Sequence, residues 1–180
     1  MSEVQVADSP KYDIYSTEHD NESVEIKPTH IGLGLFALVE FETGDVIGEL
    51  DGRLIEDPNY ESDCCIYLED DLSLEPIAPF RFLNHSCQPN CRLYYCPAEG
   101  DEPLALWVEA IEPITPGTEL TIDYSWPADA AIPCQCGSPE CRGWIVAEDQ
   151  MDLIIDRQAS MLEDEDDDYC SLDPFDDLED

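Results

Sequence analysis

The chain has 180 residues, 7 Lys plus Arg against 44 Asp plus Glu, and a formal net charge of −37, enough length for one packed domain with trimmings rather than two. A surface this acidic repels nucleic-acid phosphates and attracts Lys/Arg-rich partners over roughly a Debye length, ~8 Å at physiological salt, or serves solubility in a salty cytoplasm. No apolar run is long enough to span a bilayer, and the opening MSEVQVADSP lacks the basic and apolar regions of a signal peptide, so the expectation is an intracellular protein without nucleic-acid or membrane contact.

Residues 1–22 are polar and unpatterned and read as a loose arm. From Ser23 short alternating or apolar runs separated by turn residues predict strands. SVEIK is the first, and IGLGLFALV turns at Gly32 and Gly34 before a second. DVIGELDGRLI, 45–55, reads as one long strand broken or bulged near Gly48 and Gly52. CCIYLEDDLSLEPI reads as a hairpin turning at Asp70-Asp71, CRLYYC and LALWVEAI as two strands around AEGDEP, and Pro116-Gly117 as a turn into TELTIDY. Tyr94, Tyr95 and Trp107 are expected in the core of that strand pair. Beyond Trp144, Met151, Leu153, Ile154, Ile155, Ala159 and Leu162 are spaced as one amphipathic helix over 147–162. Residues 163–180 hold 11 acidic and no basic residues and read as a disordered tail, yet they account for less than a third of the net charge. The body is itself acidic.

Of nine cysteines, Cys134, Cys136 and Cys141 form C-x-C-x4-C in CQCGSPECRG, where Gly137 and Pro139 supply the turns that aim three thiolates at one point. Structural zinc takes four ligands. Cys87 is the natural fourth and Cys91 the reserve; the bland alternative is a loop of ordinary reduced thiols. His19 and His30 have no evident partner and read as surface or loop residues.

RFLNHSCQPNC (81–91), ELTIDY (119–124) and CQCGSPECRG (134–143), in that order and preceded by GLGLFA and GDVIGELDG, resemble the SET domain with a post-SET zinc loop, a family of protein-lysine methyltransferases. The resemblance covers about residues 23–146. It implies a mostly β fold with short helices (α+β), a β-clip with a knot-like C-terminal crossing and a small zinc-binding loop: SET domain 23–127, post-SET loop 130–146. It implies S-adenosylmethionine as cofactor, held by Gly32, Leu33, Gly34 and Leu35, by Arg81 and Phe82, by Asn84 and His85, and by Tyr124, with Trp144 covering the pocket or lying in the core. Tyr124 would be the catalytic tyrosine, Leu50, Tyr94 and Ile122 would line the substrate channel, and Cys87, Cys134, Cys136 and Cys141 would bind structural zinc.

Two departures bear on rate and product. Leu50-Asp51-Gly52 stands where many members carry Tyr-x-Gly, and Ile122 where several have an aromatic, which leaves room for multiple methylation. The implied substrate is a basic protein, a histone or a ribosomal protein, reached in the nucleus of a eukaryote or otherwise in the cytoplasm; the oligomeric state is not legible. The rival readings are an inactive SET-like module that binds basic proteins and an acidic chaperone that keeps the fold as scaffold.

Overall fold

The computed structural model describes residues 16–57, 60, 62, 64–68, 72–96 and 105–155. The arm before residue 16, the loop tips at 69–71 and 97–104, the distal part of the expected helix and the acidic tail lie outside them. The described residues divide into two compact units, one of those up to Asp123 with Gln135–Cys141, the other of Tyr124–Cys134 with Arg142 onward. Among them no helix is long and apolar enough to cross a membrane.

The first unit is built from three small sheets. β1 (Val24–Thr29) and β2 (Gly32–Ala37) form a hairpin in register from Val24 with Ala37 to Thr29 with Gly32. Its turn falls at His30-Ile31, so Gly34 lies inside β2 and not at a turn. The expected long strand over 45–55 is two strands in different sheets, β3 (Val46–Glu49) and β4 (Gly52–Glu56). A bulge lies between Val46 and Gly48, and the chain changes sheets at Leu50-Asp51. Both glycines are sterically required: a Cβ on Gly48 would stand 2.6 Å from the Phe80 ring, and one on Gly52 2.4 Å from the Glu75 carbonyl oxygen.

β5 (Ile66–Tyr67) and β6 (Leu72–Pro76) form the expected hairpin, and β6 also pairs with β4. A 3-10 turn at Phe80–Phe82 leads to β7 (Asn84–His85). β8 (Cys91–Cys96) and β9 (Ala105–Ala110) pair along their whole length, and β3 joins on the other side of β9. Tyr94 faces Trp107 across this pair with both half-buried, while Tyr95 is 42% exposed and is therefore not a core residue as expected.

β10 (Glu119–Ile122) completes the first sheet in the order β1-β2-β10-β7. Its turn uses Gly117 at φ +86°, a left-handed conformation that glycine adopts without penalty. Leu35, Ala37, Val108, Ala110 and Leu120 are fully enclosed, with Val24, Ile114 and Cys91 nearly so. The alternation of buried and partly exposed residues along β9 and β10 is that of strands with one face on the core.

In the second unit β11 (Ile132–Pro133) and β12 (Trp144–Ile145) form a short antiparallel pair that the sequence reading lacks. Ala128, Val146 and Ile154 make a small core, joined by Ala131, Trp144 and Met151. The expected helix begins as a 3-10 turn at Glu148–Gln150 and continues as α-helix over 151–155, the last residues described.

Because Leu35 has no accessible surface, Leu35→Ala is expected to lower unfolding free energy by about 2–5 kcal/mol through lost burial and a residual cavity. Urea denaturation followed by fluorescence measures the shift.

Candidate active site and thiol cluster

The RFLNHSCQPNC segment is held to β10 atom by atom. β7 runs parallel to β10, Asn84 opposite Thr121 and His85 opposite Ile122, and the Ser86 amide continues the pairing by donating to the Ile122 carbonyl at 2.9 Å. The chain then reverses through a turn in which Ser86 Oγ donates to the Gln88 carbonyl and accepts from its amide, at 2.9 and 3.1 Å. Asn90, buried, finishes the job as a side-chain substitute for a strand. Its Nδ2 donates to the Glu119 carbonyl at 2.8 Å, and its Oδ1 accepts from the Thr121 amide at 2.9 Å. The sequence reading assigned Asn90 nothing; its signal was only an amide residue beside a proline, and its partners lie about thirty residues away.

Asn84 Nδ2 donates to the Leu33 carbonyl at 3.1 Å and to Glu119 Oε1 at 2.8 Å. Gly34 serves this pair, since a Cβ there would meet Glu119 Oε1 at 2.5 Å, Thr29 Cγ2 at 2.7 Å and Asn84 Nδ2 at 3.0 Å. Gly32 lies at φ +130° with open space where a Cβ would stand. Leu33 is 40% exposed, whereas the Leu35 side chain is sealed in the core and can offer a ligand only its backbone. Arg81 Nη1 pairs with Glu75 and donates to the Pro76 carbonyl at 3.3 Å. Glu75 is 1% exposed and also accepts from Tyr60 Oη at 3.2 Å. Burial first, then the charge of Glu75, pushes the Tyr60 hydroxyl above its usual range. Phe82 is half-buried.

His85 is buried, with Nδ1 3.5 Å from Asp123 Oδ1 and Nε2 3.4 Å from Cys87 Sγ. Tyr124 directly follows Asp123 in sequence. It is half-buried, its ring centroid 5.5 Å from that of Trp126, and Ser125 after it holds a left-handed φ of +48°. Trp144 packs on the apolar cluster of its own unit. Among the channel candidates Leu50 and Ile122 are buried at 3% and 8% exposure, and Tyr94 is half-buried.

The thiol loop is built as its spacing requires. Gly137 and Gly143 take φ +72° and +80°, and the Cys134 amide bonds the Gly143 carbonyl at 2.9 Å. Cys87 Sγ lies 3.9 Å from Cys141 Sγ, and the sulfurs of Cys87, Cys134, Cys136 and Cys141 all fall within 4.8 Å of one another. A tetrahedron with zinc–sulfur bonds of ~2.3 Å has sulfurs about 3.8 Å apart, so this donor set fits zinc in type, number and size. Gln88 ties its own loop to this one, donating to Glu140 Oε2 at 2.8 Å and accepting from Ser138 Oγ. His30, read as partnerless, bonds the Gln135 carbonyl through Nε2 at 2.8 Å. The reserve ligand Cys91 is enclosed in β8 at 1% exposure, and burial pushes its thiol up to about 12.

The residues matched by the SET domain family profile are 32–125, just over half of the chain. The chain belongs to the SET-domain family. It is 33% identical over 129 residues to "Histone-lysine N-methyltransferase, H3 lysine-4 specific" of Schizosaccharomyces pombe, covering 63% of this chain and 14% of that protein. It is likewise 33% identical over 133 residues to "Histone-lysine N-methyltransferase trithorax" of Drosophila virilis, covering 65% of this chain and 3% of that protein. The chain thus spans only a small part of these curated relatives. Among solved structures, that of KRYPTONITE in complex with mCHH DNA, H3(1-15) peptide and SAH superimposes with a TM-score of 0.59 at 20% identity, over 68% of this chain and 29% of that one. This likeness identifies the SET fold.

The purified protein is expected to carry one zinc per chain by plasma mass spectrometry, and Cys136→Ser to lose most of it; metal-free wild-type protein would exclude the assignment. Cys91 adds a pH dependence. With its thiol raised from 9.0 to about 12 by folding, its contribution is fully present below pH 9 and declines as pH rises toward 12, because only the unfolded thiol ionises in that window. Urea midpoints at pH 8 and 10.5 should fall more for wild type than for Cys91→Ala.

Proposed function

We propose that this chain is an S-adenosylmethionine-dependent protein-lysine N-methyltransferase acting on a basic protein such as a histone. The observation that carries the reading is the placement of Asn84 and His85 on a strand parallel to β10, whose chain runs directly on into Tyr124. The curated relatives named as histone-lysine N-methyltransferases support it, as does the presence of SAH and a histone H3 peptide in a structure of the same fold. A histone substrate puts the protein at chromatin if its host is eukaryotic.

The cofactor supplies an electrophilic methyl on a sulfonium. When bound, it would give that methyl to a lysine nitrogen, the electron pair of the broken carbon–sulfur bond staying on sulfur and the lysine proton passing to water. The protein's tasks are alignment and supply of the neutral amine, which apolar surroundings such as Ile122 favour by desolvation. In this reading Asn84, His85 and the backbone at Gly32–Leu35 hold the cofactor with Arg81, Phe82 and Trp144 around it. Leu50, Tyr94 and Ile122 shape the lysine channel, and Tyr124 orients the methyl group through weak CH···O contacts. Cys87, Cys134, Cys136 and Cys141 hold structural zinc.

The net charge of −37 draws basic peptides toward the protein, an attraction that salt screens. A second reading, a SET-like module that binds basic proteins without turning over, rests on Leu50-Asp51-Gly52 in place of Tyr-x-Gly.

With labelled S-adenosylmethionine and core histones, label is expected on lysine, and Tyr124→Phe should slow transfer about 100-fold through misalignment while cofactor binding persists. Cofactor binding without transfer to any basic protein would favour the second reading. For the active enzyme, KM for a histone-tail peptide is expected to rise steeply between 50 and 300 mM salt, the assay range, with kcat little changed; a flat profile would remove the charge from the account.

A further inference from the structure

The methyltransferase reading leaves Glu119 without a task, yet Glu119 makes the shorter of the two contacts that fix which way the Asn84 amide faces. A carboxamide has a donating and an accepting end of nearly equal size, and only its partners fix the orientation. Here two acceptors, Leu33 O and Glu119 Oε1, converge on one atom of Asn84, at 3.1 and 2.8 Å. An oxygen in that place would face a carbonyl and a carboxylate with no proton between them, so the nitrogen must occupy it. The other end, Oδ1, receives no hydrogen bond among the described residues and is not among the buried unpartnered atoms, so it is open to a ligand.

Gly34 is what leaves room for this arrangement. The position where its Cβ would stand is crowded by the same two groups, with Glu119 Oε1 2.5 Å away and Asn84 Nδ2 3.0 Å away. The absent side chain is thus what lets the carboxylate reach the amide.

We propose that Glu119 is a positioning residue that locks the Asn84 amide so that its carbonyl oxygen faces the cofactor site and accepts a hydrogen bond from the cofactor's ammonium group. This rests on the methyltransferase reading, which supplies the ligand. The chemistry is selective. An ammonium group has protons to give and no lone pair to receive, so the locked oxygen binds it, while a flipped amide would present N–H to N–H. A hydrogen bond to a charged donor contributes about 1.5–3 kcal/mol, or roughly 10- to 100-fold in affinity.

The test compares, by calorimetry on the full chain, S-adenosylhomocysteine with its desamino analogue, which lacks only the ammonium. Wild type is expected to prefer the amino form by at least about tenfold. Glu119→Ala should shrink that preference to within about threefold. Glu119→Asp, which keeps the charge but falls a methylene short of the amide, should do the same, and it serves if the alanine variant does not fold. Glu119→Gln, whose carbonyl can still accept from Asn84, should retain most of the preference. A merely structural role would weaken both ligands equally, and that result, or an unchanged preference in the alanine and aspartate variants, overturns the proposal. Wild-type protein that binds neither ligand overturns the methyltransferase reading itself, before any variant is compared.

Discussion

The parallel pairing of β7 with β10 is the contact on which the rest of the site depends. It is only two residues long, Asn84 with Thr121 and His85 with Ile122, too short to be stable from its own ladder bonds. It persists because the segment is fastened beyond its ends by the Ser86 amide on Ile122 and by Asn90 on both Glu119 and Thr121. Each of these satisfies a backbone group of β10 that would otherwise be buried without a partner, a cost comparable to a lost hydrogen bond. The same few residues therefore complete a sheet, orient Asn84 and deliver Cys87 to the thiol cluster.

Two other buried polar groups of this unit are paired as well. Glu75, nearly inaccessible, is matched by Arg81 and Tyr60, and His85 stands between Asp123 and Cys87. Buried charge is tolerated only when paired and hydrogen-bonded, and the chain devotes one of its few arginines to Glu75. Arg81 thus has a structural reason to stand at the head of RFLNHSCQPNC, separate from any role toward a ligand.

Much of this was legible in the sequence, for reasons that differ by element. The hairpins β1–β2, β5–β6 and β8–β9 have alternating side chains and turn residues between them, so local pattern suffices. The thiol cluster was legible because three ligands share one loop and Gly137 signals its turn. In the 45–55 segment the glycines signalled the bulge near Gly48 and the break near Gly52, but not that the two halves join different sheets, because the approach of Phe80 to Gly48 and of Glu75 to Gly52 is encoded by no local rule. Asn90, Gln88 and Glu119 were missed for a related reason. Each acts through a partner 29 to 52 residues away in the chain. Two-residue strands such as β11 and β12 carry too few side chains for any periodicity.

The two-residue strand also constrains how the molecule can be made. Most of the hairpins join neighbours in sequence and can form as the chain emerges, whereas β7 must wait for a partner that begins at Glu119. Such non-local pairing carries a loop-closure cost before it yields any contact. Until Ile122 has left the ribosome, Asn84, His85 and Asn90 lack the partners that β10 supplies, and the edge of β2 that β10 will cover stays open to other strands. Synthesis therefore passes through an interval in which the strands before β10 are made but one strand edge is unpaired, and that interval is where a chaperone or a misfolding partner would have its opportunity.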